Sequence, residues 1–240
     1  MEDHRVLPST GSPVIATQTR ASDIAERHKL SQNLMVTGWA RSLLLQVDGR
    51  WVESERALDA LDAFEATLAG SGQAVGLAER AIMLELHGRL PELLETLRTV
   101  VEFHPAFREL YALALIRDGD REQARRWLGG WSEQPQLPSD YLWTTTTTLR
   151  SWVWAALGDP DAVEDLLSQL TPYADRLVYA SGTVTFLGSL HLWVGELAVA
   201  TGDLEAARRH LAQALETHRR LELPFWVART EAALAGIPAR

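Results

Sequence analysis

The chain contains no cysteine, which excludes disulfides, thiolate metal sites and cysteine nucleophiles together. Lysine is nearly absent: Lys29 is the only one among the 23 basic residues, a bias common in GC-rich bacteria and without mechanistic content. Positive charge is in deficit, with 32 acidic residues giving a formal charge of -9 at pH 7. Nucleic-acid binding needs a concentrated positive surface, so no direct nucleic-acid partner is expected. No apolar run approaches the ~20 residues needed to cross a bilayer. The first twenty residues carry Pro8 and Pro13 and lack the apolar block of a signal peptide. A cytoplasmic protein without membrane contact is the expectation. Strand signals are scarce as well, because valine, isoleucine and threonine do not alternate convincingly with polar residues. Strand content is therefore expected to be close to nil.

What is present is helical periodicity and internal repetition. The 240 residues, 46% hydrophobic and 23% charged, are enough for one large domain or two small ones. Residues 1–20 are rich in Pro, Ser, Thr and Gly and read as a flexible tail; residues 21–240 read as one helical-repeat domain. Five times an apolar segment ends in glycine followed by Arg or Asp, and an amphipathic segment begins at once. The glycines are Gly49, Gly88, Gly119, Gly158 and Gly202. Nine positions after each stands a leucine: Leu58, Leu97, Leu128, Leu167 and Leu211. Four positions before each stands Leu45, Leu84, Leu115, Trp154 or Ala198, all apolar. A glycine just past a helix end supplies the left-handed backbone that stops it. Asp120, Asp159 and Asp203, next in line, are placed to cap the following helix.

The result is an antiparallel helix pair repeated five times, unable to bury its apolar face without neighbours. First helices are expected over 22–47, 73–87, 105–118, 139–157 and 183–201. Second helices are expected over 51–69, 90–102, 121–130, 160–170 and 204–221, and a capping helix over 225–235. The fold class is all-α, a solenoid.

These blocks resemble tetratricopeptide-like repeats. More narrowly, residues 35–235 are similar to the helical-repeat region of large ATP-dependent LuxR-type bacterial regulators and related adenylate cyclase-like multidomain proteins. The carrying residues include Gly49-Arg50, Gly88-Arg89 with ELLETL, His104-Pro105 with GDREQARRWL, the Leu170-Thr171-Pro172-Tyr173 turn with Arg176, and the closing GELAVATGDLEAARRHLAQALETHRRLELPFWVART. The resemblance implies a module that senses an effector or partner and controls an attached output domain. The chain holds no GxxxxGK[ST] and ends soon after its last helix, so the sensing scaffold alone is expected.

Nine tryptophans in such a scaffold invite a binding site. Trp143, Thr147, Arg150 and Trp154 share one face of the fourth first helix; Tyr141, Thr145, Thr148 and Trp152 share a nearly opposite one. A helix so largely apolar or uncharged all round is ordinarily buried between neighbours. Yet five consecutive threonines, each costing roughly 0.5 kcal/mol against alanine, do not serve helix stability. Hydroxyls beside tryptophan faces suit a polar organic ligand or a peptide. A turn holding Tyr173, Arg176 and Tyr179 is a second candidate, since loops carry function. The seven histidines offer no HExxH or HxxxH pair, so neither a metal nor a cofactor is expected, and no nucleophile elbow nominates catalysis. The leading expectation is a non-catalytic regulatory module binding a partner protein or small effector in a concave groove. The alternatives are a homo-oligomeric assembly protein, a homodimer for instance, and a repurposed small-molecule enzyme of specialised metabolism.

Overall fold

The computed structural model describes residues 20–21, 23–24, 27–28, 31–65, 73–180 and 185–238. The tail expected over 1–20 lies almost wholly outside the described residues, as does the end of the helix expected over 51–69. The described helices from residue 31 onward are α1 (Ser31–Val47), α2 (Trp51–Glu65), α3 (Gln73–Leu86), α4 (Leu94–Val100), α5 (Pro105–Arg117), α6 (Arg121–Leu128), α7 (Trp143–Leu157), α8 (Pro160–Leu170), α9 (Leu190–Ala200), α10 (Leu204–Arg220) and α11 (Pro224–Ala235). Sequential helices pack in pairs, α1 on α2, α5 on α6, α7 on α8 and α9 on α10. A short 3-10 turn, Leu90–Leu93, leads into α4 and shares the packing against α3 and α5. First helices then lie against one another, α1 on α3, α5 on α7 and α7 on α9. This is a mostly helical, tetratricopeptide-like repeat.

The repeated glycines do what their position requires. Gly49, Gly88, Gly119, Gly158 and Gly202 all have φ between 68° and 94°, and a Cβ on any of them meets nothing within 4 Å. Their role is backbone conformation, not close packing. The amide after four of them reaches back to the carbonyl four residues before the glycine, as Asp120 N does to Leu115 O at 2.9 Å. Asp120, Asp159 and Asp203 then accept from Gln123 N, Ala162 N and Ala206 N at 2.8–3.0 Å. Of the recurring leucines, Leu58, Leu97, Leu128 and Leu211 are buried; at the fourth repeat Leu167 is half-buried and Leu166 takes the inside position. The core runs continuously from Val47 to Ile237, with a smaller cluster of Trp39, Leu58, Leu61, Met83 and Leu84 under the first pairs.

One expectation is overturned. Between the fourth and fifth pairs, where the helix expected over 183–201 was to start, stands a short antiparallel hairpin, β1 (Leu177–Ala180) and β2 (Thr185–Ser189), and α9 begins at Leu190. The misleading cue is Phe186, four positions before Leu190, which mimics a helical stripe. Every residue of β2, the polar Thr185 and Ser189 included, is buried, so both faces are covered and no apolar–polar alternation marks the strand. The pairing steps from Tyr179↔Phe186 to Leu177↔Ser189, one extra residue on β2, and the bulge holds Gly188 at φ 73°.

The hairpin also closes the array. β2 packs on α9 and α10 at one end of the chain and on α1 and α3 at the other. Beside it the Trp51 ring of α2 meets the Phe225 ring of α11 at 4.8 Å, joining the first pair to the last helix.

Candidate functional site

The hairpin and the first helices of the first four pairs line an open cavity of about 350 Å³. Its wall takes Trp39 from α1, Ala78 and Ile82 from α3, Phe107 and Leu110 from α5, Leu142, Thr145, Thr146 and Leu149 from the start of α7, and Ala180 and Thr185 from the hairpin. Among the described residues no Asp, Glu, Lys or Arg lines it. Around it Val36, Phe103 and Tyr141 are 44%, 67% and 73% exposed, an apolar rim facing solvent. A volume of a few hundred Å³ with apolar walls and a few polar atoms fits a small organic ligand.

Those polar atoms have specific states. His104 caps α5, its Nδ1 accepting from Ala106 N at 3.1 Å. The ring proton therefore sits on Nε2, which is buried and finds no hydrogen-bond partner, Asp140 Oδ2 being 3.7 Å away. Thr145 donates to Tyr179 O at 3.0 Å and ties α7 to β1. Thr147 and Thr148 donate back to Trp143 O and Thr144 O. Thr146 Oγ1 has no partner, and the same holds for Thr185 Oγ1 and Trp39 Nε1. Trp39, Thr146 and Thr185 are each more than nine-tenths buried.

Of the residues singled out by sequence, Tyr141 stands at the cavity rim. Thr147 and Thr148 turn into their own helix. Trp143 packs edge-on against Tyr173 at 5.3 Å, and Arg176 covers that Tyr173 ring at 4.7 Å. Tyr179 is 55% exposed on β1. Arg150 is buried, donating to Glu109 Oε1 at 2.7 Å and to Pro135 O at 3.0 Å, so it binds α7 to α5 and to the segment between α6 and α7. Burial raises the Glu109 carboxyl, and the Arg150 charge opposes that. Trp154 packs on Trp131 at 5.2 Å. Trp152 packs on Trp193 at 4.6 Å, with the Arg117 and Arg229 guanidinium groups over its ring at 5.8 and 5.2 Å. Those arginines pair with Glu85 (2.6 Å) and Glu196 (3.3 Å), whose carboxyls burial pushes upward.

Sequence reasoning missed Trp39, His104 and Thr185, which come from three distant segments and share no motif. It also missed a histidine pair. His191 Nε2 donates to Asp175 Oδ1 at 2.9 Å, leaving its Nδ1 to accept from His210 Nδ1 at 2.8 Å. Burial, then the neighbouring His191, lowers the His210 pKa. Among the described residues no cluster of three or more His, Asp or Glu side chains is placed to hold a metal ion, and no helix is long and apolar enough to cross a membrane.

Two segments, residues 105–129 and 188–213, match the tetratricopeptide repeat family. They coincide with α5–α6 and, from Gly188 in the hairpin onward, with α9 and the first half of α10. Repeats of this kind generally mediate protein–protein interactions. No curated protein and no solved structure matches the chain.

Proposed function

We propose that this chain is a non-catalytic regulatory sensor, a single repeat domain over residues 21–240, that takes a small, mostly apolar organic effector into the cavity between its first helices and the hairpin. The carrying observation is that uncharged cavity with its exposed apolar rim. An occupant there touches α1, α3, α5, α7 and both strands, so its binding energy favours the arrangement in which these distant elements meet. That is the physical requirement for a sensor: occupancy must stabilise one shape over others. The similarity of the repeats to the sensing region of LuxR-type bacterial regulators supports the regulatory role, with the cytoplasm as its place.

The test is native mass spectrometry of the purified chain beside Ala78→Trp, which fills the wall of the cavity. The expected result is a small organic molecule retained by the parent and absent from the variant. A parent that carries nothing, and whose melting temperature no fraction of a cell extract raises, sinks the reading.

A second reading has its own observation. Val36, Phe103 and Tyr141 form an exposed apolar set that suits the side chain of a partner protein or of a second copy of this chain. In that case Phe103→Ser with Tyr141→Ser abolishes partner capture or self-association while leaving retention of any small molecule intact.

A further inference from the structure

We infer that Asp175, His191 and His210 form a proton-sensitive latch: it fastens the turn entering the hairpin to the α9–α10 pair, accommodates one added proton and parts on the second.

The three side chains come from three segments. Asp175 lies in the turn between α8 and β1, two residues before Leu177; His191 stands in the first turn of α9 and His210 in α10. The Asp175 side chain is 99% exposed, whereas the two rings are 6% and 9% exposed. From Asp175 the chain runs directly into β1, whose hairpin gives Ala180 and Thr185 to the cavity wall. One backbone bond reinforces the fastening, Leu190 N donating to Arg176 O at 2.9 Å.

Proton counting fixes the states. With both rings neutral, His191 donates through Nε2 to Asp175 Oδ1 at 2.9 Å, and the 2.8 Å axis between the two Nδ1 atoms holds a single proton, that of His210. A first added proton goes to His210 Nε2, and the axis proton then sits on either ring. Every hydrogen bond survives, and the Asp175 carboxylate stabilises the new charge. A second added proton puts an N–H at both ends of the axis, donor against donor, on two positive rings whose centroids are 5.1 Å apart. The rings must then separate.

The surrounding charges leave that conflict in place. On His210, Arg209 acts with His191 against the charged form, and Asp175 and Asp203 act for it. Arg150 of α7, Glu196 of α9, and Arg229 and Glu231 of α11 are engaged in ion pairs of their own. Asp161, Glu164 and Asp165 of α8 and Tyr179 of β1 are exposed, β2 carries no titratable side chain, and His218 of α10 is bonded to Ser189 N and Thr230.

The experiment is histidine ring ¹⁵N NMR on the full chain from about pH 8 to about pH 4.5, beside Asp175→Asn and His210→Asn. At the alkaline end His191 is expected as the Nε2–H tautomer and His210 as the Nδ1–H tautomer. Both rings are expected to respond together in a first step, with the second about one pH unit or more lower. Across the second step the hydrogen-exchange protection of the Leu190 amide is expected to fall about tenfold or more. Asp175→Asn keeps an acceptor oxygen but removes the charge, so the first step should move about half a pH unit or more toward acid. His210→Asn leaves one titrating ring, and Leu190 protection should then hold steady over the same range. The His218 ring, resolved in the same spectra, reports its own titration separately and shows that the variants are folded. An Nε2–H tautomer at His210, or two rings titrating independently, overturns the shared proton. Steady Leu190 protection in the parent, or an equal fall in His210→Asn, overturns the latch.

Discussion

His218 shows how one buried side chain fixes a segment. It lies fully buried on α10, its Nε2 accepting from Ser189 N at 2.8 Å and its Nδ1 meeting Thr230 Oγ1 at 3.0 Å. Thr230 in turn donates to Trp226 O, so the imidazole holds its proton on Nδ1 and stays neutral. Burial pushes its pKa down to about 4 from 6.5. A depressed histidine contributes stability that is complete above pH 6.5 and is lost as pH falls toward 4, on the order of 3 kcal/mol in all. Urea denaturation between pH 7.5 and 4 should show that loss, and His218→Gln should flatten it; unchanged slopes refute the assignment. Glu79 has the opposite sign. It is fully buried, accepts from Gln46 Nε2 at 3.1 Å, and burial raises its pKa to about 9. Its stability contribution is complete below pH 4.5 and falls as pH rises toward 9, by about 3 kcal/mol at pH 7. Glu79→Gln should therefore raise the melting temperature at pH 8 and leave it nearly unchanged at pH 4.5.

At the scale of elements, the two kinds of glycine separate conformation from packing. Gly158 needs only its left-handed φ of 70°, so Gly158→Ala should cost about 1 kcal/mol. Gly188 combines φ 73° with contact: a Cβ there stands 2.8 Å from His218 Nε2 and from the Trp226 ring. Gly188→Ala should therefore destabilise clearly more, by denaturant midpoint, than Gly158→Ala; equal losses argue against the bulge as the anchor of the hairpin. The α5–α7 contact rests on a buried charge pair. Arg150→Ala strands Glu109 in the interior and should cost about 3–5 kcal/mol, with Glu109→Gln in the same chain recovering part of it. A double variant no more stable than Arg150→Ala alone sinks that account.

For the whole molecule the decisive feature is closure. An open row of helix pairs leaves its first and last members independent, since each repeat touches only its neighbours. Here the Trp51–Phe225 contact and the hairpin link the first pairs to the end of the chain. A double-mutant cycle of Trp51→Ala and Phe225→Ala should give a coupling of about 0.5–1.5 kcal/mol. Zero coupling means the ends act separately. Closure also forms the cavity, because its wall needs the hairpin as well as α1, α3, α5 and α7.

How much of this the sequence determined follows from the range of the forces. Helix ends, aspartate caps, the leucine anchors and the pairing of successive helices are set by residues within about ten positions of one another, so the Gly-terminated pattern carried them. The threonine run in α7 marked the neighbourhood of the cavity for the same reason: five poor helix formers in a row are a local anomaly. Only the tertiary structure decided that Thr146 faces the wall while Thr147 and Thr148 bond their own helix, because that depends on the rotation of α7 against α3, α5 and the hairpin. It alone brought Trp39, His104 and Thr185 together from separate segments. It alone turned residues 185–189 into a strand, since a segment buried on both faces loses the alternation that marks strands and obeys packing on α1, α3, α9 and α10 instead.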